Sequence, residues 1–249
     1  MLSIGLSEFR RLFRTPLAWV LLALVQVILA YFFLVQVENY LSTIQPQIIA
    51  SDAPYGVTDI VLTQLFTYAA ILMLAIMPLL TMRSFAEERQ NQTLTLLRSS
   101  PLSATQLVLG KFLALELLIL LLIGLISLMP LSLLLGTQLD IAQLLSAMLG
   151  LFLLLSAFAA AGLYLSSLTK QTMMAALLGF GFLLILGLLY FAGTRTSQPS
   201  ELLLYLSHFG HYQSFLSGVL NSTDIIYYLL FIAVFLILTI RRIDNERLG

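Results

Sequence analysis

The two histidines of this chain stand three positions apart, as His208 and His211, a spacing that places both on one face of a helix. Such a pair could hold a metal ion, but a closed metal site uses about four ligands. The sequence contains no cysteine to complete the set. We therefore expect no bound metal, and aromatic and polar packing around the two histidines instead.

Lys111 and Glu116 are the ionisable residues that interrupt the third of six long apolar runs. We expect them to pair near the lipid headgroups, where charged side chains are tolerated, and the alternative is a role in gating. Ion- and proton-coupled transporters need ionisable groups at membrane depth, so the scarcity of such groups argues against that class. The paired carboxylates of an intramembrane enzyme are missing from the runs as well.

The sequence has no nucleotide phosphate-binding loop, because the pattern G-x-x-x-x-G-K-[ST] does not occur in it. Any ATP-driven work must therefore draw its energy from another chain. We predict that this chain is not an enzyme and binds no cofactor directly.

The composition shows which solvent the elements around these residues must meet. Of the 249 residues, 60% are hydrophobic and 10% are charged, whereas soluble domains have about 45–50% apolar and about 25% charged residues. The mean hydropathy is +1.00. These values exclude a soluble enzyme. The net charge of zero excludes a nucleic-acid-binding protein, which needs a basic face.

Six apolar runs are each long enough, or nearly so, to cross a bilayer as a helix, which takes about 20 residues. They cover residues 17–37, 60–82, 107–135, 143–168, 172–192 and 225–240. Their continuous apolar character favours helices over barrel strands. Ser103 to Gln106 and Asp140 to Gln143 have the spacing of capping boxes, which predicts helix starts there. We predict an all-α integral membrane protein with one transmembrane domain over residues 1–249.

The basic residues predict the orientation of these spans. Of the 12 lysines and arginines, only Arg195 falls in a connection on the opposite side from the others. The positive-inside rule then places both termini in the cytoplasm, and we predict a bacterial inner membrane location. Before the first span, apolar residues recur at positions 2, 6, 9 and 13. This spacing predicts an interfacial amphipathic helix, and the alternative is a frayed basic N-terminus.

The charged connection between the second and third spans, residues 85–98, is the longest on the cytoplasmic side. Glu87 and Glu88 favour the start of a helix here, and Leu94 and Leu97 give this helix an apolar edge. A soluble partner that grips such a helix can push on the two spans beside it. The alternative is a solvated charged loop.

The sequence in this region resembles the signature of type-2 ABC transporter permeases, with the gliding-motility and nitrous-oxide-reductase maturation permeases closest. The resemblance is carried by the runs Arg83-Ser-Phe-Ala-Glu-Glu-Arg89, Thr93-Leu-Thr-Leu-Leu97 and Pro101-Leu-Ser-Ala-Thr-Gln106. In that family the loop is a coupling helix that docks on the ATPase, and it usually has glycine where this chain has Gln92. The resemblance implies these ATPase contacts: Glu87, Glu88, Arg89, Thr93, Leu94 and Leu97.

A second stretch resembles the segment before the last span in the same subfamily. It carries His211, Phe215, Gly218 and Asp224. The charged residues that relatives tend to carry in this stretch are neutral here. We expect the outer segment, residues 199–220, to lie in or dip into the outer interface rather than cross the membrane.

The resemblance implies the membrane-spanning subunit of an exporter-type complex, built from two six-span subunits and two ABC ATPase subunits that bind ATP and magnesium. The second permease is another copy or a related chain, and a periplasmic or auxiliary membrane subunit is a further candidate partner. The main alternative is a mechanotransmission subunit that passes ATPase motion to a periplasmic partner and moves no substrate. A continuous polar path would favour transport, and a sealed apolar seam would favour transmission.

Overall fold

The computed structural model describes residues 2–14, 16–46, 56, 58–90, 103–137, 139–195 and 201–248, and all regular structure within these ranges is helical. The α-helices are α1 (Leu2–Arg14), α2 (Pro16–Asn39), α3 (Thr63–Thr81), α4 (Ala86–Gln90), α5 (Ala104–Ser132), α6 (Ile141–Leu168), α7 (Thr172–Arg195), α8 (Glu201–Leu206), α9 (His208–Leu216) and α10 (Ser222–Leu248). The π-helical turns Tyr40–Ile44 and Thr58–Leu62 adjoin α2 and α3, and the 3-10 turn Leu133–Leu135 ends α5.

Six of the helical stretches in the described ranges are long and apolar enough to cross a membrane. They are Ala18–Ile44, Thr58–Gln90, Ala104–Leu135, Ile141–Leu168, Thr172–Thr194 and Ser222–Asn245. Each contains or overlaps one of the six predicted runs, so the predicted number of spans is confirmed. Several are longer than predicted, because polar caps and turns extend a helix beyond its apolar run.

The capping box predicted at the start of the third span is present. The backbone N–H of Gln106 donates to Ser103 Oγ, and the backbone N–H of Ser103 donates to Gln106 Oε1, each at 3.2 Å. Two backbone donors that have no partner inside the helix are satisfied in this way. The box fixes the first residue of α5.

The box predicted at Asp140 is wrong in its second half. Asp140 Oδ1 accepts from the backbone N–H of Ala142 and Gln143, at 2.9 and 3.2 Å, as an N-cap should. The Gln143 side chain, however, donates to the carbonyl oxygen of Leu216 at 2.9 Å. A buried carbonyl of α9 needs a donor, and this tertiary need takes the glutamine away from the cap.

Helix α6 is the central helix of the bundle and packs against α3, α5, α7, α9 and α10. Two of its glycines allow close approach of a neighbour. A Cβ at Gly150 would lie 2.4 Å from Phe215 Cβ, and one at Gly162 would lie 2.2 Å from Thr81 Oγ1. Small residues therefore bring α9 and α3 against α6, as is common between membrane helices.

The helices define two ends of the bundle. We call the end formed by α1, α4, the first turns of α5 and the last turn of α6 the basic end. Helix α1 packs along α5 there, since a Cβ at Gly5 would lie 3.3 Å from Leu113 Cβ. Phe9 and Phe13 of α1 are half-buried against the core, whereas Leu6 is exposed. A helix at this position was predicted; its place in the membrane interface stays a prediction.

The opposite end contains α8 and α9, which together form what we call the hairpin. Leu204 of α8 packs against Gly193 near the end of α7, and Phe209 packs against Gly187, about two turns earlier in α7. The ring of His208 stacks on Phe158, close to the midpoint of α6. Helix α9 then returns to the first turn of α6, where Leu216 meets Gln143. The hairpin dips into the bundle and returns without crossing it, and its place in the outer interface of the membrane stays a prediction.

Candidate functional site

The turn between α3 and α4 is fixed to the last turn of α6 by one serine. Ser166 Oγ accepts hydrogen bonds from the backbone N–H of Phe85 and Ala86, both at 3.1 Å, and donates to the carbonyl oxygen of Met82 at 2.9 Å. The N–H groups at the start of a helix have no partner inside it, and Ser166 satisfies two of them at the start of α4. The direction in which α4 leaves the bundle is therefore set by the central helix.

A buried ion pair joins α4 to the third span. Lys111 Nζ lies 2.5 Å from Glu88 Oε1 and 3.4 Å from Glu8 Oε1. Only 3% of the Lys111 side chain and 4% of the Glu88 side chain are exposed. The ammonium group also lies 5.3 Å from the centre of the Phe85 ring, a cation–π distance. Removing either partner would leave the other charge buried without its closest counter-charge, which is destabilising.

The same cluster includes the N-terminal helix. Arg11 Nη1 lies 3.2 Å from Glu88 Oε1 and 3.6 Å from Glu8 Oε1. Burial acts to lower the pKa of Arg11, and the carboxylates of Glu8 and Glu88 more than offset it, so the pKa rises above its ordinary value. We call Glu8, Arg11, Glu88 and Lys111 the ion cluster. It ties α1, α4 and α5 together at the basic end.

The predicted pairing of Lys111 with Glu116 is wrong. Lys111 faces Glu88, whereas Glu116 lies deeper in the span and is buried. Five residues of an α-helix rotate a side chain by about 140° from the first, so the two residues lie on different faces of α5. Glu116 Oε2 accepts a hydrogen bond from Ser156 Oγ at 2.9 Å instead.

The residues predicted to contact an ATPase differ in how deeply they are buried. Glu87 and Arg89 are half-buried on the short helix Ala86–Gln90, whereas Glu88 is buried in the ion cluster. The remainder of the predicted coupling helix lies outside the described residues, with Thr93, Leu94 and Leu97. No role was predicted for Glu8 or Arg11. The two residues stand three positions apart on the polar side of a predicted helix, and this spacing could have indicated an ion pair between them.

At the hairpin end the structure brings His211 and Asp224 together. His211 Nδ1 lies 2.6 Å from Asp224 Oδ1, and His211 Nε2 lies 2.8 Å from the carbonyl oxygen of Tyr205. Both ring nitrogens of His211 are therefore engaged, one by the carboxyl group of Asp224 and one by a backbone carbonyl. This contact fixes α8, α9 and the first turn of α10 to each other.

The tip of the hairpin leaves backbone carbonyls inside the bundle, and tyrosines satisfy them. The Tyr227 hydroxyl donates to the carbonyl of Leu206 at 2.9 Å, and the Tyr228 hydroxyl donates to that of His208 at 2.7 Å. Tyr212 donates to the carbonyl of Phe66 in α3 at 3.1 Å. Irregular backbone within a membrane protein persists only where protein groups satisfy it, and these hydroxyls meet that need.

His208 is fully buried, and its charge state follows from this burial. Burial lowers the pKa of His208 to about 3, and the charge of His211 acts in the same direction. His208 is therefore neutral near pH 7, with Nδ1 at 2.9 Å from the Tyr227 hydroxyl. Within the described ranges, no group of three or more His, Cys, Asp or Glu stands together as a metal site would require.

Phe215 and Gly218, the other two predicted residues of the outer motif, complete the return of the hairpin. Phe215 is fully buried against α6, and its carbonyl accepts a hydrogen bond from Ser146 Oγ at 2.9 Å. Gly218 has φ of +77°, a conformation that favours glycine, just after the end of α9. All four predicted residues of the motif therefore position the hairpin.

One family of known proteins matches nearly the whole chain. The family model described as "ABC-2 family transporter protein" matches residues 2–248. The matched range includes α1, the ion cluster and the hairpin. No curated protein sequence matches the chain.

Proposed function

The chain belongs to the ABC-2 family of transporter proteins, and from this premise we propose that it is the permease subunit of an exporter-type complex driven by a separate ATPase. The observation that carries the proposal is the ion cluster, which ties the connection after α3 to two other helices. A loop that only linked two spans would not need a buried salt bridge, because such pairs bring little net stability.

The ion cluster supports a mechanical role for α4. A push on α4 reaches α5 through Lys111, α1 through Arg11, and α6 through Ser166. Since α6 packs against five helices besides α4, its displacement affects the whole bundle. Packed cores switch between discrete arrangements more readily than they deform. ATP-driven closure of two ATPase subunits would supply the push.

We assign different tasks to the predicted contact residues. Glu87 and Arg89, with Thr93, Leu94 and Leu97 beyond the described helix, contact the ATPase, which holds ATP and magnesium. Glu88 is a positioning residue, because its carboxylate is buried against Lys111. Lys111 belongs to this coupling path, and Glu116 remains the candidate gating residue.

The proposed assembly of the complex rests on the resemblance to type-2 ABC transporter permeases. Two permeases, as two copies or as related chains, pair with two ATPases, and a periplasmic or auxiliary membrane subunit completes the complex. The basic end faces the cytoplasm, as the distribution of lysine and arginine favours, and the membrane is the bacterial inner membrane. The nearest subfamily is that of the gliding-motility and nitrous-oxide-reductase maturation permeases.

The alternative of mechanotransmission is favoured by the packing of α6. Its middle turns, residues 153–163, are all buried, and most are leucine, alanine or glycine. Within the described part of one protomer, this interior offers little polar lining for a hydrophilic cargo. Motion that enters at α4 would leave at the hairpin, which faces a periplasmic partner in the proposed orientation.

Affinity purification of the tagged chain from its native membrane tests the proposal. We expect a P-loop ATPase to co-purify with ATP turnover, and to be lost when Glu87→Lys is combined with Leu94→Asp. Lys170→Glu is the matched control, because Lys170 is an exposed cation in another connection at the basic end. An intact chain that brings down neither an ATPase nor ATP turnover would contradict the proposal.

A further inference from the structure

Glu116 is an ionisable residue inside the third span that belongs neither to the ion cluster nor to the contacts of the hairpin. It lies on α5 and is 8% exposed, and its contact on α6, Ser156, is 2% exposed. Ser156 stands close to the midpoint of α6, a helix of 28 residues. The carboxyl group is therefore held near the middle of the bundle, where an ionisable side chain is costly and is commonly functional.

The helices that pack against α5, which include α1, α2, α6 and α10, place their charges elsewhere. Helix α6 has no charged residue, and α2 has Glu38 alone, next to its last residue. The charged residues of α10 lie in its first turn and after residue 240, and those of α1 lie at the basic end. Lys111, on α5 itself, faces Glu88. Among the described residues, none forms an ion pair with Glu116.

The two close contacts of Ser156 need two protons, and its hydroxyl group has one. Ser156 Oγ lies 2.7 Å from the carbonyl oxygen of Phe152 and 2.9 Å from Glu116 Oε2. If the carboxyl group is ionised, Ser156 is the donor in both contacts and divides a single proton between two acceptors. If the carboxyl group is protonated, it donates to Ser156 Oγ, and the Ser156 hydroxyl donates to Phe152. Each of the two contacts is then a complete hydrogen bond.

The other carboxyl oxygen gives a second, independent reason for a protonated group. Glu116 Oε1 is buried and has no hydrogen-bond partner among the described residues. An ionised carboxylate accepts hydrogen bonds at both oxygens, and a buried charge without such bonds or a counter-ion costs far more than a buried neutral group. A neutral acid needs less from its surroundings, because one hydrogen bond donated to Ser156 uses its proton.

We propose that Glu116 is a proton-binding site within the spans. Its carboxyl group holds a proton while α5 and α6 are packed together, and it donates this proton to Ser156 Oγ in a hydrogen bond. Because the neutral form fits the closed contact and the charged form does not, loss of the proton and separation of α5 from α6 are linked. A gating role for Glu116 would then act through release of this proton. The inference goes beyond the proposed function and does not depend on an ATPase partner.

Infrared spectroscopy of the full chain, purified in mild detergent at neutral pH without an ATPase, tests the proposal. A protonated carboxyl group has a C=O stretching band that an ionised carboxylate lacks. We expect this band in the wild type, and we expect it to shift when the side-chain carboxyl carbon of every glutamate is replaced by its heavy isotope. This labelling assigns the band to glutamate without any variant. The band should be lost in Glu116→Gln.

Glu38→Gln is the matched control, because Glu38 is an exposed carboxyl residue of α2, and it should leave the band unchanged. Ser156→Ala tests the direction of the hydrogen bond. This variant removes the acceptor and keeps the acid, so the band should move to the higher frequency of a carboxyl group that donates no hydrogen bond. An unchanged frequency in Ser156→Ala would overturn the assignment of Ser156 as the acceptor.

Two results would overturn the proton-binding site itself. A wild-type spectrum without a band that responds to glutamate labelling would mean that the Glu116 carboxyl group is ionised. A glutamate band that persists in Glu116→Gln, with the helical fold of this variant verified by circular dichroism, would assign the proton to a different glutamate.

Discussion

The short segments outside the spans are attached to the bundle by different interactions at its two ends. At the basic end, long charged side chains from three helices meet in the ion cluster, and half of the Arg11 side chain is exposed. At the hairpin end, short-range hydrogen bonds from tyrosine hydroxyls and one histidine ring reach backbone carbonyls, of which the carbonyl of His208 is buried. The half-exposed guanidinium of Arg11 can exchange partners with water at low cost, whereas a buried carbonyl that loses its donor has no substitute. The contrast makes α1, at the edge of the ion cluster, the part of the basic end that can move, and the hairpin the fixed part.

The largest effect should come from breaking the buried pair of the ion cluster. Glu88→Ala leaves the Lys111 ammonium buried without its closest partner, which costs about 3–5 kcal/mol for pairs of this kind. Thermal unfolding of the purified protein measures the loss. The double variant Glu88→Leu/Lys111→Met should recover most of the stability, because it removes both charges. A double variant less stable than Glu88→Ala would contradict this account of the cluster.

A smaller effect is expected at the fixed end. Tyr228→Phe removes the donor to the His208 carbonyl and leaves that oxygen buried, at a cost of about 1–3 kcal/mol. Tyr31→Phe is the control, because Tyr31 is an exposed tyrosine of α2. Unfolding of both variants by the same method gives the comparison. Equal stability of the two variants would show that the tyrosine hydroxyl does not support the hairpin.

The neutral histidine of the hairpin should make stability depend on pH. The pKa of His208 is about 3 in the folded chain, against about 6.5 for an ordinary histidine. Between these values only the unfolded chain takes up the proton, so stability is present above about pH 6.5 and falls as the pH is lowered. The slope from this group is at most about 1.4 kcal/mol per pH unit. His208→Gln should remove it in unfolding curves between pH 6 and 4, and an unchanged slope would refute the assignment.

The smallest effect is expected inside the spans. Ser156 has one proton and two oxygens within reach, the Phe152 carbonyl at 2.7 Å and Glu116 Oε2 at 2.9 Å. An amide can replace the carboxyl group in this arrangement, so Glu116→Gln should change stability by less than about 1 kcal/mol. The same variant tests the gating role. If the carboxylate of Glu116 gates transport, the complex with Glu116→Gln would lose its transport-linked ATP turnover while the fold stays intact. Normal turnover in Glu116→Gln would remove Glu116 as the gating candidate.

The parts of the structure that the sequence predicted are those set by local patterns. Continuous hydropathy predicted six spans, and the Ser103 box was correct because its two partners lie three residues apart. The His211 and Asp224 motif was found through resemblance, but its geometry was not predicted. Local spacing cannot reveal which distant group a side chain meets.

The errors have the same origin. Gln143 was assigned to its own cap, although a carbonyl 73 residues away takes its amide. Lys111 was paired with a neighbour in sequence, although its partners are 23 and 103 residues away. The helical rotation between Lys111 and Glu116 was available from the sequence and already argued against that pair. The carbonyls at the tip of the hairpin, and the tyrosines that satisfy them, required the fold.

The most direct test of the central claim measures ATP turnover by the complex purified with the double variant Glu88→Gln/Lys111→Gln. This variant removes both buried charges and keeps polar groups of similar size, so the fold should persist. We predict that the ATPase still binds at the wild-type level, through Glu87 and its neighbours, while permease-dependent turnover falls about tenfold, equivalent to about 1.4 kcal/mol. Full turnover with the double variant would mean that the ion cluster is structural and carries no coupling. A wild-type chain without any associated ATPase would contradict the account as a whole.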